Sequence, residues 1–310
     1  MPAFEAAYLQ AYRQSVLAEK ARMSADMLMD CDLCPRQCHV DRTAGKLGYC
    51  RTGRQAVVAS FQPHFGEEAP LVGHNGSGTI FFTHCNLLCN FCQNFEISHG
   101  GEGGAMTHRR LADMMLFLQA EGCHNINLVT PSHVIPQILS ALMLAAADGL
   151  TVPLVYNTGG YDRLSSLRLL EGVVDIYMPD FKFWDNAIAN RTCHAPDYRE
   201  TACAALKEMH RQTGDLTIDD AGVAQRGLLV RHLVLPEHLA GTREVMRFIA
   251  GEVSVDTYVN IMPQYRPCGR AHEVPALGAS LSPSTYEQAL TAACQEGITR
   301  LDQRRPLIFR

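Results

Sequence analysis

Residues 76–94 read GSGTIFFTHCNLLCNFCQN. The first half is a glycine-bounded run of Thr, Ile and Phe, the composition of a buried strand. The second half places Cys85, Cys89 and Cys92 in C-x3-C-x2-C spacing on the loop that follows. Outward from this strand one succession recurs: a short apolar strand, a polar or glycine-containing loop, then a helix. Strands are predicted at 79–83, 125–129, 153–156, 173–177, 227–234 and 257–261. Helices are predicted at about 108–120, 133–148, 162–171, 196–212, 238–250 and 284–296, with Thr107 capping the first. Such alternation implies parallel βαβ units with right-handed crossovers, an α/β fold. Six units can close most of the way into a barrel or form an open doubly wound sheet, and strand count does not decide between them. In either arrangement the chemistry belongs at the carboxyl ends of the strands.

Upstream, residues 4–29 read as one helix, with Leu9, Tyr12, Val16 and Leu17 at helical spacing. Residues 31–54 carry cysteines, glycines and arginines with little periodicity, and 55–63 read as a short strand. The chain therefore divides into an N-terminal helix with a small Cys-rich lobe at 1–60 and an α/β region at 61–310.

The 310 residues are 47% hydrophobic and 19% charged, so a sizeable core is expected. A net charge of -5 without a basic stripe argues against nucleic acid as a partner. Nothing at the start reads as a charged segment followed by an apolar one, and no apolar run reaches membrane-spanning length. A cytoplasmic protein with no membrane partner is the expectation. Twelve cysteines in such a chain are expected as reduced thiols rather than disulfides. Cys123, Cys193, Cys203, Cys268 and Cys294 are scattered singly and read as small buried or neutral residues. The others fall in two clusters.

Three thiolates can hold a 4Fe-4S cluster by three of its irons, leaving the fourth open to a small molecule. A structural zinc site would want a fourth ligand, for which His84 or His99 could be offered, but neither gives paired zinc-finger spacing. The N-terminal cluster, Cys31-x2-Cys34-x3-Cys38-x11-Cys50, is a complete set of four, with Pro35, Gly45 and Gly48 suited to tight turns. It fits a tetrahedral zinc or a second 4Fe-4S cluster, and the crowding of three ligands favours the cluster.

With the aromatic Phe91 before its last cysteine, the Cys85–Cys89–Cys92 motif resembles the signature of the radical S-adenosylmethionine superfamily. CDLCPRQC, NINLVTPSH, YNTGGYD, DIYMPDFK, RGLLVRHLVLP and VNIMPQY resemble its branch related to the pyruvate formate-lyase activating enzyme, and together they span about residues 31–265. The resemblance implies a partial (β/α)6 barrel and an activating-enzyme-like oxidoreductase. Such an enzyme cleaves S-adenosylmethionine reductively to a 5′-deoxyadenosyl radical that abstracts hydrogen. Its implied partners are an electron donor such as flavodoxin or ferredoxin and a glycyl-radical enzyme or peptide as substrate. The four-cysteine element departs from the minimal activating enzyme, which lacks it.

Further positions follow from the same resemblance. Where most members carry a Gly-Gly-Glu-like turn for the methionine amino group, this chain has Val129-Thr130-Pro131. Thr130 offers a hydroxyl there, or the segment is an ordinary strand-to-helix turn. Asn157 and Thr158, with Met178 and Asp180, match a monovalent-cation site beside the S-adenosylmethionine carboxylate, with Asn157 standing where the family has Asp. Read from the residues alone, Lys182 shares a face with Asp180, for an ion pair or a cofactor or substrate contact. Arg231 needs a partner if buried, for which a carboxylate of the cofactor or substrate is suited, and His232 would face the other side. The alternatives are radical modification of another peptide or a small molecule, and a non-catalytic metal-binding redox sensor. A sensor would need neither six α/β units nor polar strand ends.

Overall fold

A computed structural model describes residues 4–302; the last eight residues of the expected 61–310 region lie outside it. The N-terminal segment forms two helices, α1 (Ala7–Arg13) and α2 (Val16–Asp26), rather than the single helix expected over 4–29. Ser15 between them sits at φ 62°, a left-handed conformation that ends one helix and re-aims the next. Periodicity across the break stays intact because both helices bury one side, α1 through Tyr8 and Ala11 and α2 through Leu17 and Ala21.

The remaining elements follow in chain order. Strand β1 (Ala56–His64) leads through the short α3 (Ala69–Val72) to β2 (Ser77–Phe82) and then β3 (Gly104–Met106). Next come α4 (His108–Ala120), β4 (Ile126–Val129), α5 (Ile135–Ala147), β5 (Leu154–Thr158), α6 (Leu164–Leu170) and β6 (Ile176–Pro179). Helices α7 (Asn186–Cys193) and α8 (Tyr198–Thr213) precede β7 (Thr217–Ile218) and β8 (Ala224–Leu233). The described chain ends with α9 (Thr242–Phe248), β9 (Tyr258–Met262) and α10 (Pro283–Gln295). Thr107 caps α4 as expected, its hydroxyl accepting from the Arg110 amide.

Strands β2, β4, β5, β6, β8 and β9 pair in parallel, each beside the next in chain order, as the six predicted units require. Among the described residues β9 pairs with β8 and is not joined to β2. The sheet is mixed, because β1 runs antiparallel to β2, β3 to β1, and β7 to β8. Strand β1 also crosses the boundary expected at residue 60. Residues 173–174, predicted as strand, are the turn before β6, which starts later and ends at Pro179. Two valines there mimic a strand because both are buried by packing in that turn.

Strand alternation separates two faces. Tyr156, Tyr177, Leu228 and Val230 face the helix-covered core, while Val155, Ile176, Met178 and Leu229 form a smaller apolar cluster with Leu71 of α3 on the other face. No described helix is long and apolar enough to cross a membrane.

Asp175, buried at the foot of β6, fastens several elements at once. Its Oδ1 accepts from the Ala7 amide at 2.8 Å, its Oδ2 from the Leu154 amide at 2.9 Å, and its carbonyl from the Gly227 amide at 2.9 Å. Asp175→Ala strips two amides of their acceptor, so denaturant unfolding should show a loss of about 2–4 kcal/mol. A change below about 0.5 kcal/mol would mean that solvent replaces the carboxylate.

Candidate functional site

The loop after β2 returns as a tight coil in which His84 (φ 68°) and Leu88 (φ 52°) flank the first two cysteines of the motif. Left-handed backbone at non-glycine residues is strained and persists where the surroundings over-determine it. Cys85, Cys89 and Cys92 wall one cavity of about 430 Å³. The same cavity meets Thr130 beyond β4, Asn157 and Thr158 of β5, Asp180 and Lys182 beyond β6, and Arg231 of β8. All of these lie at carboxyl ends of parallel strands. Phe91 also lines it, its ring edge-on to Phe183 at 5.8 Å and tilted on Tyr265 at 6.1 Å.

One charge cluster organises the strand ends. Lys182 Nζ donates to Asp180 Oδ2 at 2.5 Å, and Arg231 Nε donates to Asp180 Oδ1 at 2.8 Å. Arg231 Nη2 donates to Asn157 Oδ1 at 2.7 Å, and its Nη1 stands 3.8 Å from Glu67 Oε2. Burial alone would raise the Asp180 carboxyl, but Arg231 and then Lys182 hold it below its ordinary value. Glu68 lies deeper, one oxygen accepting from Asn260 Nδ2 at 2.8 Å and the other without a partner. Burial pushes Glu68 up to about 7 against the pull of Arg231.

The strand ends are tied together from below. The Tyr198 hydroxyl accepts from the Lys182 amide at 2.8 Å and lies 3.0 Å from the Gly159 carbonyl and 3.1 Å from that of Asp180. Gly160, at φ 77°, passes so close that an added Cβ would fall 2.2 Å from the Asp180 carbonyl oxygen. The NTGG turn thus makes a close backbone approach to the neighbouring strand end.

Two expected positions behave differently. Met178 shares a face with Asp180 but lies one residue pair deeper, enclosed with Leu71, Val155 and Leu229, and does not reach the cavity. Thr158 lines the cavity, yet its hydroxyl donates to Asp162 Oδ2 at 2.6 Å and lies 3.0 Å from that of Ser132. Asp162, which also accepts from the Tyr156 hydroxyl at 2.9 Å, carries no sequence signal beyond following a turn. His232 faces away as expected, its Nδ1 donating to the Phe181 carbonyl at 2.7 Å.

Of the loop's thiols, Cys89 is buried and Cys85 and Cys92 are half-buried. Burial, with Cys89 nearby, pushes Cys85 up to about 12. Cys89 is raised first by a hydrogen bond with Cys193 and then by burial. Cys193, expected as a bystander, thus touches a cysteine of the motif. The four-cysteine lobe docks directly on this loop: Arg36, between Cys34 and Cys38, donates from Nε to the Asn86 carbonyl at 2.9 Å. Its Nη2 donates to the Cys193 carbonyl at 2.7 Å, and its guanidinium stacks on Tyr49 at 3.9 Å. Among the described residues, no three His, Cys, Asp or Glu side chains are gathered tightly enough to hold a single metal ion.

Removing one member of a buried charge set leaves the rest incompletely compensated. Arg231→Met takes the guanidinium from Asp180 Oδ1 and Asn157 Oδ1 and leaves the buried carboxylate to Lys182, and thermal or denaturant unfolding should show a loss of about 3–5 kcal/mol. Because the folded-state value of Glu68 is raised above 4.5, its contribution to stability is full below pH 4.5 and is lost as pH rises through about 7. Glu68→Gln should remove that decline, so the stability difference between variant and wild type should grow across this window. A difference constant with pH would contradict a buried, titrating Glu68.

No protein-family model matches the chain. It is 30% identical over 292 residues to the uncharacterized protein MJ0674 of Methanocaldococcus jannaschii, an alignment covering 92% of this chain and 80% of that protein. The chain belongs to the same family as that archaeal protein.

Proposed function

We propose that the chain is a radical S-adenosylmethionine enzyme, activating-enzyme-like, in which Cys85, Cys89 and Cys92 hold a 4Fe-4S cluster with one iron open. The observation that carries this reading is a single cavity faced by the three thiols of one loop and by the polar ends of successive parallel strands. The donor set fits the group: three thiolates are an incomplete shell for a closed zinc site but suffice for three irons of a cube. Six parallel strands in chain order, open between β9 and β2, suit a partial (β/α)6 barrel.

When bound, the cluster would supply one electron to S-adenosylmethionine, releasing methionine and a 5′-deoxyadenosyl radical that takes hydrogen from the substrate. The chain's own residues bind, orient and exclude water. Cys85, Cys89 and Cys92 give up their protons on ligation, which burial otherwise opposes, so metal binding strengthens as pH rises. Phe91, wedged between Phe183 and Tyr265, keeps the loop dry on its inner side. Thr130, at φ 63° with its amide donating to the Asn157 carbonyl at 2.8 Å, lines the cavity, and its hydroxyl would be the group offered to the methionine amino group. Lys182 and Arg231 occupy both oxygens of Asp180, so this carboxylate is neutralised without a separate monovalent cation. Arg231 and Lys182 also bring positive charge to the cavity, where the methionine carboxylate would lie.

Anaerobically reconstituted protein given a low-potential reductant and S-adenosylmethionine should release 5′-deoxyadenosine, and Cys89→Ala should reduce the release to background. No release from wild type, with iron content unchanged in Cys89→Ala, would refute the reading. A glycyl-radical signal in a candidate partner would identify the substrate as such an enzyme.

A further inference from the structure

The four N-terminal thiols are not used by the reading above, yet they meet. Cys31, Cys34, Cys38 and Cys50 wall one small enclosed cavity together with Arg42 and His133. Three of them are under a tenth exposed, and none is in a disulfide. Gly48 lets the loop close on Cys38, since a Cβ there would lie 2.8 Å from the Cys38 Sγ. Gln37, His39 and Arg51, beside these cysteines, all have positive φ.

Arg42 is the informative neighbour. Its side chain is 1% exposed, and its guanidinium donates to the Gly53 carbonyl at 2.9 and 3.1 Å and to the His133 carbonyl at 2.9 Å. It also faces Cys31 Sγ at 3.8 Å, and no carboxylate pairs with it among the described residues. A cation this buried calls for an anion nearby, and the only candidates walling the cavity are the thiols. His133 supplies a second observation. Its Nε2 lies 3.0 Å from the Thr83 carbonyl, so that nitrogen carries the proton, and its buried Nδ1 has no partner.

We infer that Cys31, Cys34, Cys38 and Cys50 take up a second iron–sulfur cluster, with Arg42 as its buried counter-charge. Size separates this from zinc. A tetrahedral zinc at about 2.3 Å from each sulfur would draw the sulfurs to about 3.8 Å apart and leave no free space between them. The four thiols instead wall, with their neighbours, a space of about 10 Å³, room for a water-sized sphere. Assembly replaces four thiol protons, released to solvent, by four iron–sulfur bonds, with sulfide and equal amounts of ferrous and ferric iron supplied from outside, so that no further oxidant is needed. The site is wired mechanically to the first one. Arg36 holds the carbonyl of Asn86, and His133 holds that of Thr83, so both contacts reach the segment carrying Cys85.

The test uses the full chain with Cys85, Cys89 and Cys92 all changed to Ala, reconstituted anaerobically with sulfide and equal amounts of ferrous and ferric iron. It should bind about four irons and four sulfides and give a paramagnetic signal on reduction. Adding Cys34→Ala should remove them. This count does not depend on S-adenosylmethionine chemistry, so it can fail or succeed independently of the first site. In the otherwise wild-type chain, the count should fall from about eight irons to about four on Cys34→Ala, a control against misfolding of the triple variant. One zinc per chain without sulfide, or a count indifferent to Cys34, would overturn the inference. Arg42→Met should lower the midpoint potential of this cluster, because reduction adds negative charge, and Arg42→Lys should restore it. An unchanged potential in Arg42→Met would remove Arg42 from the proposal.

Discussion

Asp180 is the point on which the strand ends depend. A carboxylate buried at the end of β6 is tolerable only because Arg231 from β8 and Lys182 from its own chain segment grip its two oxygens. Arg231 then carries the constraint to Asn157 on β5 and to Glu67 before α3, and Tyr198 fixes the backbone on either side. Register among β5, β6 and β8 and the electrostatics of the cavity are therefore one problem. Slippage of any strand by one residue would turn its charge into the apolar core.

The two cysteine sites share a similar economy. Neither is an isolated loop: the four-cysteine lobe reaches the Cys85 loop through Arg36, and the loop after β4 reaches it through His133. The stacking of Arg36 on Tyr49 holds the lobe's own loop against the same contact. The N-terminal lobe thus braces the loop that carries Cys85, and its packing on α5 through α2 gives it a rigid backing.

Most of the α/β framework was legible in the sequence because buried parallel strands and amphipathic helices carry strong local patterns. Helix α4 is an example, with its threonine cap and regular apolar spacing. The break at Ser15 was not legible, since two helices packed on one side preserve a common period while the turn is set by a single backbone angle. Strands β3 and β7 were missed because three and two residues are too few to show alternation. At the site, the cysteines and strand-end polar residues announced themselves by spacing and position. Met178 did not separate from Asp180, because alternation gives the face of a residue but not its depth. Asp162, Cys193 and His133 became visible only in three dimensions, as partners of Thr158, Cys89 and Thr83.

The central claim is that the three-cysteine loop leaves an iron open towards the strand ends. It is tested most directly by the paramagnetic resonance spectrum of the reduced chain carrying Cys34→Ala, recorded with and without S-adenosylmethionine. The account predicts that the cofactor alters the spectrum and that Cys85→Ala abolishes the signal altogether. A spectrum indifferent to S-adenosylmethionine, from a chain whose iron is retained, would contradict it.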